Sequence, residues 1–515
     1  MSSGTQQETI AFLSNPKSYD PTVQSVDKHE THGSIVFLAG ERAYKLKRAV
    51  KFPYMDYSTV AQRKQMCMRE LEINRNTAPM LYLEAIPIVR DLMGSLHFGT
   101  EADSGVTLDW VVVMQRFDQN ALLEQMRVAR QLTRPLMRRL AETIGEFHHK
   151  AEITPTFGGA AGIRAVIEEN VAILKSKAGQ PFDVQLVHQY ETEAPRLLAS
   201  VESQLDERQQ TGHVRRCHGD LHLNNICLIE GNPVLFDAIE FGDTFSCIDV
   251  LYDLAFLLMD LDQHGLRDHA NSVLNRYLEQ TDEHSGLAAL PLFLSCRAAI
   301  RAHTALAASE AANDENARGL QRQQAVQQLE RAVVYLTKTS PRLVAIGGVS
   351  GTGKTTLARD LAPSLGLSPG AVIIRSDIIR KQLMGVSETS RLPESAYTPA
   401  ITARVYGRMT ELAARTLRAG YSVIVDAVFG KESERLELAE LAKHTGVPFD
   451  GLWLEAPGGL LANRIGARVG DASDATVDVL CAQLEFVSPP SDWSHLCAVP
   501  SEREILNEAR RLLGC

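Results

Sequence analysis

The stretch "CHGDLHLNN", Cys217 to Asn225, packs two His, an Asp and two Asn into nine residues. A metal site would use His218 and His222. Gly219 and the apolar, strand-like flanks do not make one helix face, however, and no third ligand stands at a fitting spacing. A structural turn would spend the Asp and Asn side chains on backbone groups. The spacing fits a third reading. Asp220 and Asn225 are five apart, and Asp237 follows the apolar run "PVLF". Phosphoryl transfer needs a carboxylate near the acceptor hydroxyl and two oxygen-bearing side chains for Mg²⁺, and these three positions carry residue types of that kind.

Outward from this stretch the pattern is bilobal. "GSIVFLAGERAYKLKRAV" reads as two strands around Gly40 and Glu41, and "LDWVVVMQRF" as another strand, with "VAQRKQMCMRELEINRNTA" as a helix between them. Beyond Asp118 the periods turn helical, as in "LTRPLMRRLAETIGEFHHKAEI". A short β-rich island holds the opening stretch. There "ICLI" and "VLFD" flank a turn at Glu230-Gly231-Asn232-Pro233, and helices resume at "CIDVLYDLAFLLMDLD". The Gln-rich "NARGLQRQQAVQQLERAVVYL" is either the last helix of this part or a strut between domains.

"HGDLHLNN…FDAIEF…DVLYDLA" resembles the aminoglycoside phosphotransferase and choline kinase branch of the protein-kinase-like fold, whose protein-kinase relatives carry H-R-D-x-x-x-x-N. The resemblance implies Asp220 as the catalytic, acceptor-orienting base and Asn225 and Asp237 as Mg²⁺ ligands. It also asks for a Lys on the β-lobe and a Glu to hold it. Lys45 and Lys47 share a strand face; Lys45 in "AYK" best matches the family's strand, and Glu70 is its natural partner. The departures are plain. No G-x-G-x-x-G precedes Lys45, so Ser34 and backbone amides of "THGSIVFLAG" stand in its place, and the metal motif reads Asp237-Ala-Ile-Glu240. Asp249 and Asp253 read as braces or caps.

A boundary at Ser340-Pro341 gives residues 1–340 to the kinase-like domain and 341–515 to a second one. There "GVSGTGKT", Gly348 to Thr355, follows the apolar strand "RLVAIGG" and opens a helix, fitting G-x-x-x-x-G-K-[ST]. Such a loop cradles phosphates on backbone amides, and Gly348, Ser350, Gly351, Thr352, Gly353, Lys354, Thr355 and Thr356 are assigned to the nucleotide. Lys354 brings a point charge, and Thr355 brings a hydroxyl for Mg²⁺. Asp426 ends the strand "SVIVD", where a second metal-holding acid belongs. Asp377, at the end of "AVIIRSD", and Arg380 one helical turn on serve as catalytic base and anion-holding cation, or as helix cap and surface charge. Arg464 and Arg468 are four apart and read as a lid over ATP or as a solvated helix face. This half resembles the gluconate-kinase, zeta-toxin and polynucleotide-kinase group of P-loop kinases.

The fold class expected is therefore an α+β bilobal kinase-like domain followed by an α/β P-loop domain with a mostly parallel sheet. The whole order resembles bacterial proteins that fuse an aminoglycoside-phosphotransferase-like domain to a P-loop kinase domain. It implies an ATP- and Mg²⁺-dependent phosphotransferase with two nucleotide sites and a small-molecule hydroxyl acceptor. The alternatives are a single enzyme with a nucleotide-binding regulatory partner, or 5'-hydroxyl phosphorylation of a nucleic acid by the second domain. A formal charge of -10 over 515 residues argues against a general grip on nucleic acid, though a local basic groove stays open. Eight Cys without a CxxC pair point to reduced thiols and a cytoplasmic setting. No leader is visible, and the run "LAFLLM" is too short to span a membrane.

Overall fold

A computed structural model of the chain describes residues 3–52, 54–100, 102–312, 314–467 and 472–515. It divides into two compact units, Met1–Gly162 with Glu207–Leu257, and Ile163–Asp206 with Leu258–Cys515.

The first unit carries strands β1 (Val26–Glu30), β2 (Ser34–Ala39) and β3 (Arg42–Lys47), a short hairpin of β4 (Lys51–Phe52) and β5 (Met55–Asp56), then β6 (Tyr82–Arg90), β7 (Leu96–Phe98) and β8 (Val106–Gln115). Six of them form an antiparallel sheet in the order β1-β2-β3-β8-β6-β7. Strand β3 is central, with Lys45 opposite Val36 on one side and Val112 on the other. Side chains alternate across a strand, so Leu46 joins Phe37, Val111 and Val113 in an apolar cluster while Lys45 and Lys47 face the other way. That second face receives the helix Val60–Asn74, started by a capping box of Thr59 and Gln62. Cys67 and Leu71 of this helix pack on Trp110 and Val112, which turns the intervening Glu70 toward the lysines.

The same unit holds β9 (Val214–Arg216), β10 (Ile226–Ile229), β11 (Asn232–Leu235) and β12 (Cys247–Asp249). The β10–β11 turn is tighter than the sequence suggests. Glu230 and Gly231 alone take positive φ, at 51° and 79°, and Asn232 and Pro233 already belong to β11. The segment expected to be helical from Cys247 begins as β12, paired antiparallel to β9, and its helix starts at Val250.

In the second unit the helices Leu290–Ala311 and Glu315–Tyr335 form a hairpin, tied by Ser295 Oγ donating to the Ala332 carbonyl at 2.7 Å. Leu329 and Ala332 are fully buried there, so the Gln-rich segment is the closing helix of a helical layer and not a strut. Strands β13 (Leu343–Gly347), β14 (Val372–Arg375), β15 (Val423–Asp426), β16 (Phe449–Glu455) and β17 (Ser494–Cys497) then build a wholly parallel sheet in the order β14-β15-β13-β16-β17. Its core includes Val344, Ile346, Leu361, Ile424 and Leu454. Among the described residues, edge strand β14 has no strand neighbour on its outer side. Side chains of the helix Arg267–Thr281 take that place: Asn275 Oδ1 accepts the Ile373 amide at 2.7 Å, and Asn271 Nδ2 donates to the Ala371 carbonyl at 3.0 Å. No described helix is long and apolar enough to cross a membrane.

Candidate active sites

Asp220 lies in a loop that only glycine can shape. Gly219 has φ +82°, and a Cβ there would sit 2.8 Å from the Phe245 carbonyl oxygen. Asp253 braces the loop: its carboxylate accepts the His218 and Gly219 amides at 3.1 and 2.8 Å, and His148 Nε2 lies 3.1 Å away. His218 Nε2 meets the Phe236 carbonyl at 2.8 Å, and burial pushes its imidazole below the ordinary value, toward the neutral ring. His222 Nδ1 accepts the Asn224 amide at 3.2 Å, and its Nε2 lies 3.3 Å from Asp220 Oδ2.

Asn225 closes on Asp220, with Nδ2 2.9 Å from both the Asp220 carbonyl and Oδ2. Phe236 donates its amide to the Asn225 carbonyl at 3.0 Å, which sets the next residue, Asp237, beside Asn225. Asp237 takes φ +63°, a left-handed conformation unusual for a residue with a Cβ. Its amide is held by the Tyr82 hydroxyl at 3.1 Å, and the Ala238 amide by Asn74 Oδ1 at 2.8 Å. Lys45 Nζ reaches Asp237 Oδ1 at 2.5 Å and Glu70 Oε1 at 2.7 Å. Asp220 and Asp237 expose 39% and 41% of their side chains, against 0% for Glu70, so the two acids are open to the surface while the Lys–Glu pair stays closed.

Beneath Lys45 runs a second pair. Lys47 Nζ bonds Glu70 Oε2 at 2.6 Å and also contacts Glu240, whose Oε1 accepts the Tyr57 hydroxyl at 2.6 Å. Glu240 is therefore a support of the lysine layer. Burial opposes charge on Glu70, but the Lys45 and Lys47 ammonium groups outweigh it and hold the carboxyl down at about 2. Asp237 and Glu70 likewise keep Lys45 well above the ordinary lysine value despite burial.

In the second unit, Gly348 has φ +138°, and a Cβ there would lie 2.6 Å from the Leu454 carbonyl oxygen. Gly353, at φ +90°, caps the helix Lys354–Leu361. Lys354 Nζ curls over the loop, donating to the Gly348 and Val349 carbonyls at 2.8 and 3.0 Å. Thr352 Oγ1 ties the loop to the Val349 carbonyl at 2.8 Å, and the Ser350 amide is taken by Gln483 Oε1 at 2.7 Å. Thr355 Oγ1 donates to Asp426 Oδ2 at 2.6 Å, so hydroxyl and acid stand side by side at the end of β15. A cleft of about 1090 Å³ joins the loop, Thr356, Asp377, Arg380, Asp426 and Arg464.

Asp377 does not end the strand. β14 stops at Arg375, and Asp377 sits in the first turn of the helix Ser376–Leu383, one residue inside its start and not at its cap. Burial pushes its carboxyl above the ordinary value, with Arg375 pulling the other way. Arg380 is buried; its Nη1 donates to the Ala396 carbonyl at 2.8 Å and its guanidinium lies 4.7 Å from the Tyr397 ring centre. Arg464, in the helix Gly458–Gly466, donates to the Ala498 carbonyl at 2.9 Å, and Arg468 lies outside the described residues.

Both donor sets suit a magnesium nucleotide. Asn225 spends its amide nitrogen on Asp220, which leaves its oxygen, with that of Asp237, as a hard donor; Thr355 and Asp426 offer the same chemistry. Each set stands next to a lysine.

Residues 94–290 match the phosphotransferase enzyme family and residues 343–490 match an AAA domain family. An uncharacterized protein of Mycobacterium tuberculosis strain H37Rv is 30% identical over 475 residues, 91% of this chain and 91% of that relative. An uncharacterized protein of Mycobacterium bovis matches equally, at 30% over 475 residues and 91% of each chain. The chain belongs to the family that joins a phosphotransferase domain to a P-loop kinase domain. It is a kinase. Among solved structures, a choline/ethanolamine kinase family protein from Mesorhizobium loti is 14% identical, with 64% of this chain and 99% of that one covered at a TM-score of 0.37. A gluconokinase from Sinorhizobium meliloti 1021 is 24% identical, with 34% and 93% covered at a TM-score of 0.26.

Lys47 and Glu240, both visible in the sequence as alternatives, form the second charged layer with the Tyr57 hydroxyl; Tyr57, and Asn74 and Tyr82 that hold the Asp237 loop, give no sequence signal. In the P-loop unit, buried Lys381 pairs with Asp474 at 2.9 Å, and Asp474 also accepts the Tyr397 hydroxyl at 2.7 Å. No local spacing reveals such partners, since each pair joins residues far apart in the chain.

Proposed function

We propose that this kinase fusion has two nucleotide sites, each moving the γ-phosphoryl group of ATP, with Mg²⁺, to a hydroxyl of a small polar acceptor. In this reading residues 1–340 serve the first and 341–515 the second. The observation that carries it is the Asp220–Asn225 pair at 2.9 Å standing beside an Asp237 that a Glu70-aligned Lys45 reaches at 2.5 Å.

At the first site Asp220 accepts the hydrogen bond of the acceptor hydroxyl and takes its proton as the new O–P bond forms and the β–γ bridge breaks, leaving ADP. Asn225 fixes the Asp220 rotamer, and with Asp237 offers oxygens to the metal. Lys45 meets the phosphates. At the second site the amides from Gly348 to Thr355 and the start of the following helix hold phosphate oxygens, and Lys354 leaves its carbonyl partners for them. Thr355 and Asp426 hold the metal, Asp377 takes the acceptor proton, Arg380 faces an anionic group of the acceptor, and Arg464 lies over the nucleotide. Bound magnesium neutralises the phosphate charge; the protein supplies position and fixed dipoles.

The test is transfer of labelled γ-phosphate into a metabolite extract by the parent, Asp220→Ala and Lys354→Ala. Each variant should lose a distinct set of labelled products. If Asp220→Ala loses nothing, the first unit binds nucleotide without transferring phosphate. Label entering an added oligonucleotide would favour a nucleic-acid acceptor at the second site.

A further inference from the structure

The helix Arg267–Thr281 does more than cover β14. Asn271 and Asn275 fasten it to the strand backbone, with Asn275 buried and bonded to the Ile373 amide at 2.7 Å. The next residue, Arg276, places Nη1 2.8 Å from Glu388 Oε2 and 3.1 Å from Glu279 Oε2. The other oxygen of Glu388 lies 3.6 Å from Arg375 Nη1. Arg375 Nε lies 3.6 Å from Asp426 Oδ2, the same oxygen that accepts the Thr355 hydroxyl at 2.6 Å. Arg375 and Asp426 are also register partners across β14 and β15. A buried guanidinium thus stands equally far from two carboxylates, one of them the acid assigned to the metal.

We infer that Glu388 sets the metal affinity of the P-loop site by competing with Asp426 for Arg375, and that Arg276 sets how strongly Glu388 competes. The inference rests on the reading that Thr355 and Asp426 hold the metal. A cation beside Asp426 opposes a divalent ion there, and its influence is strong because the group is buried. While Arg276 shares Glu388, Arg375 stays balanced between the two acids. Without Arg276, Glu388 becomes a fuller counter-ion for Arg375 and draws it from Asp426. Without the Glu388 charge, Arg375 leans on Asp426. The helical layer is then a positioning element for the phosphate-loop chemistry: Arg276 touches no substrate and acts through Glu388 and Arg375.

The experiment uses the full chain carrying Asp237→Asn, so that the first site is disabled, with Mn²⁺ as probe in the presence of ADP and free Mn²⁺ read by electron paramagnetic resonance. Glu388→Gln should weaken Mn²⁺ uptake roughly fivefold, and Arg276→Ala should tighten it by roughly the same factor, as expected for side chains coupled through one network. Arg276→Lys should stay near the parent. The double variant should match Glu388→Gln, because Arg276 acts only through that carboxylate. ADP affinity without metal should change by less than about twofold, since the loop amides are untouched. Shifts in the same direction, no shift, or an Arg276→Ala effect that persists in the Glu388→Gln background would overturn the inference. A parent that takes up no Mn²⁺ with ADP would instead sink the metal assignment to Thr355 and Asp426. Opposite signs from two variants cannot come from misfolding, which weakens both.

Discussion

Lys47 and Lys45 share one carboxylate: Glu70 Oε2 bonds Lys47 at 2.6 Å while Oε1 bonds Lys45 at 2.7 Å. The two lysines are neighbours on one strand face, yet their partners differ in exposure. Lys45 also faces the open Asp237, whereas Lys47 also faces the buried Glu240.

Replacing the two lysines should therefore separate stability from function. Lys47→Met leaves Glu240 and Glu70 short of a cation in the interior and should cost about 3 kcal/mol, the usual penalty for breaking a buried pair from one side. Lys45→Met leaves Glu70 paired with Lys47 and Asp237 in contact with water. It should unfold close to the parent while losing transfer at the first site. Thermal unfolding and labelled-phosphate transfer, measured on both variants, check the contrast.

Gly219→Ala should disable the first site without touching the second. The added Cβ would meet a backbone carbonyl at 2.8 Å in a left-handed conformation, so the loop must move. The strain is worth about 1–3 kcal/mol. Nucleotide uptake at the phosphate loop should persist, and products that depend on Asp220 should vanish.

Asp377 makes a pH prediction with a definite sign. Burial raises its carboxyl above the ordinary 3.8, so the folded chain holds this proton more tightly than the unfolded one. The contribution to stability is full below that ordinary value and is lost as pH rises through the raised one. At neutral pH ionised Asp377 is a cost, so Asp377→Asn should raise the unfolding temperature there and should not do so near pH 3, while abolishing transfer at the second site. The acid limb of the parent's second-site rate should lie above the ordinary carboxylate range. An unchanged unfolding temperature for Asp377→Asn at neutral pH would refute this account.

Lys381 forms a buried pair with Asp474, which lines the cleft. Asp474→Ala strips Lys381 of both carboxylate contacts at 2.9 Å and Tyr397 of its acceptor. A loss of about 3 kcal/mol in denaturant unfolding is expected, with a smaller loss for Tyr397→Phe, which keeps the ion pair.

Much of the geometry of the two candidate sites is legible where the contacts are local in sequence. The five-residue interval from Asp220 to Asn225 folds into a single turn whose ends bond each other, and the G-x-x-x-x-G-K-T interval closes one loop. The Lys45 face was legible from strand alternation, but which acid each lysine meets depends on a helix and a hairpin brought together by packing. Asp377 was misplaced by one element because the apolar run "AVII" carries no mark of where the strand yields to a helix. Strand β17 was missed because "SHLC" is short and mostly polar; its place is set by pairing with β16. Asp253, legible as a brace, accepts the His218 and Gly219 amides, whereas Asn74 works on the amide of Ala238, 164 residues on, and no spacing rule encodes that.

The amide of Ile373 belongs to a strand at the rim of its sheet, and its partner, Asn275, lies 98 residues earlier. A fragment cut at Ser340 would keep every phosphate-loop residue and lose that partner, baring a flat row of hydrogen-bonding groups that invites another chain to pair with it. Expressed alone, such a fragment should self-associate. The helix that prevents this lies upstream of that cut but within the same compact unit as the sheet, so the longer chain doubles as a built-in guard against aggregation.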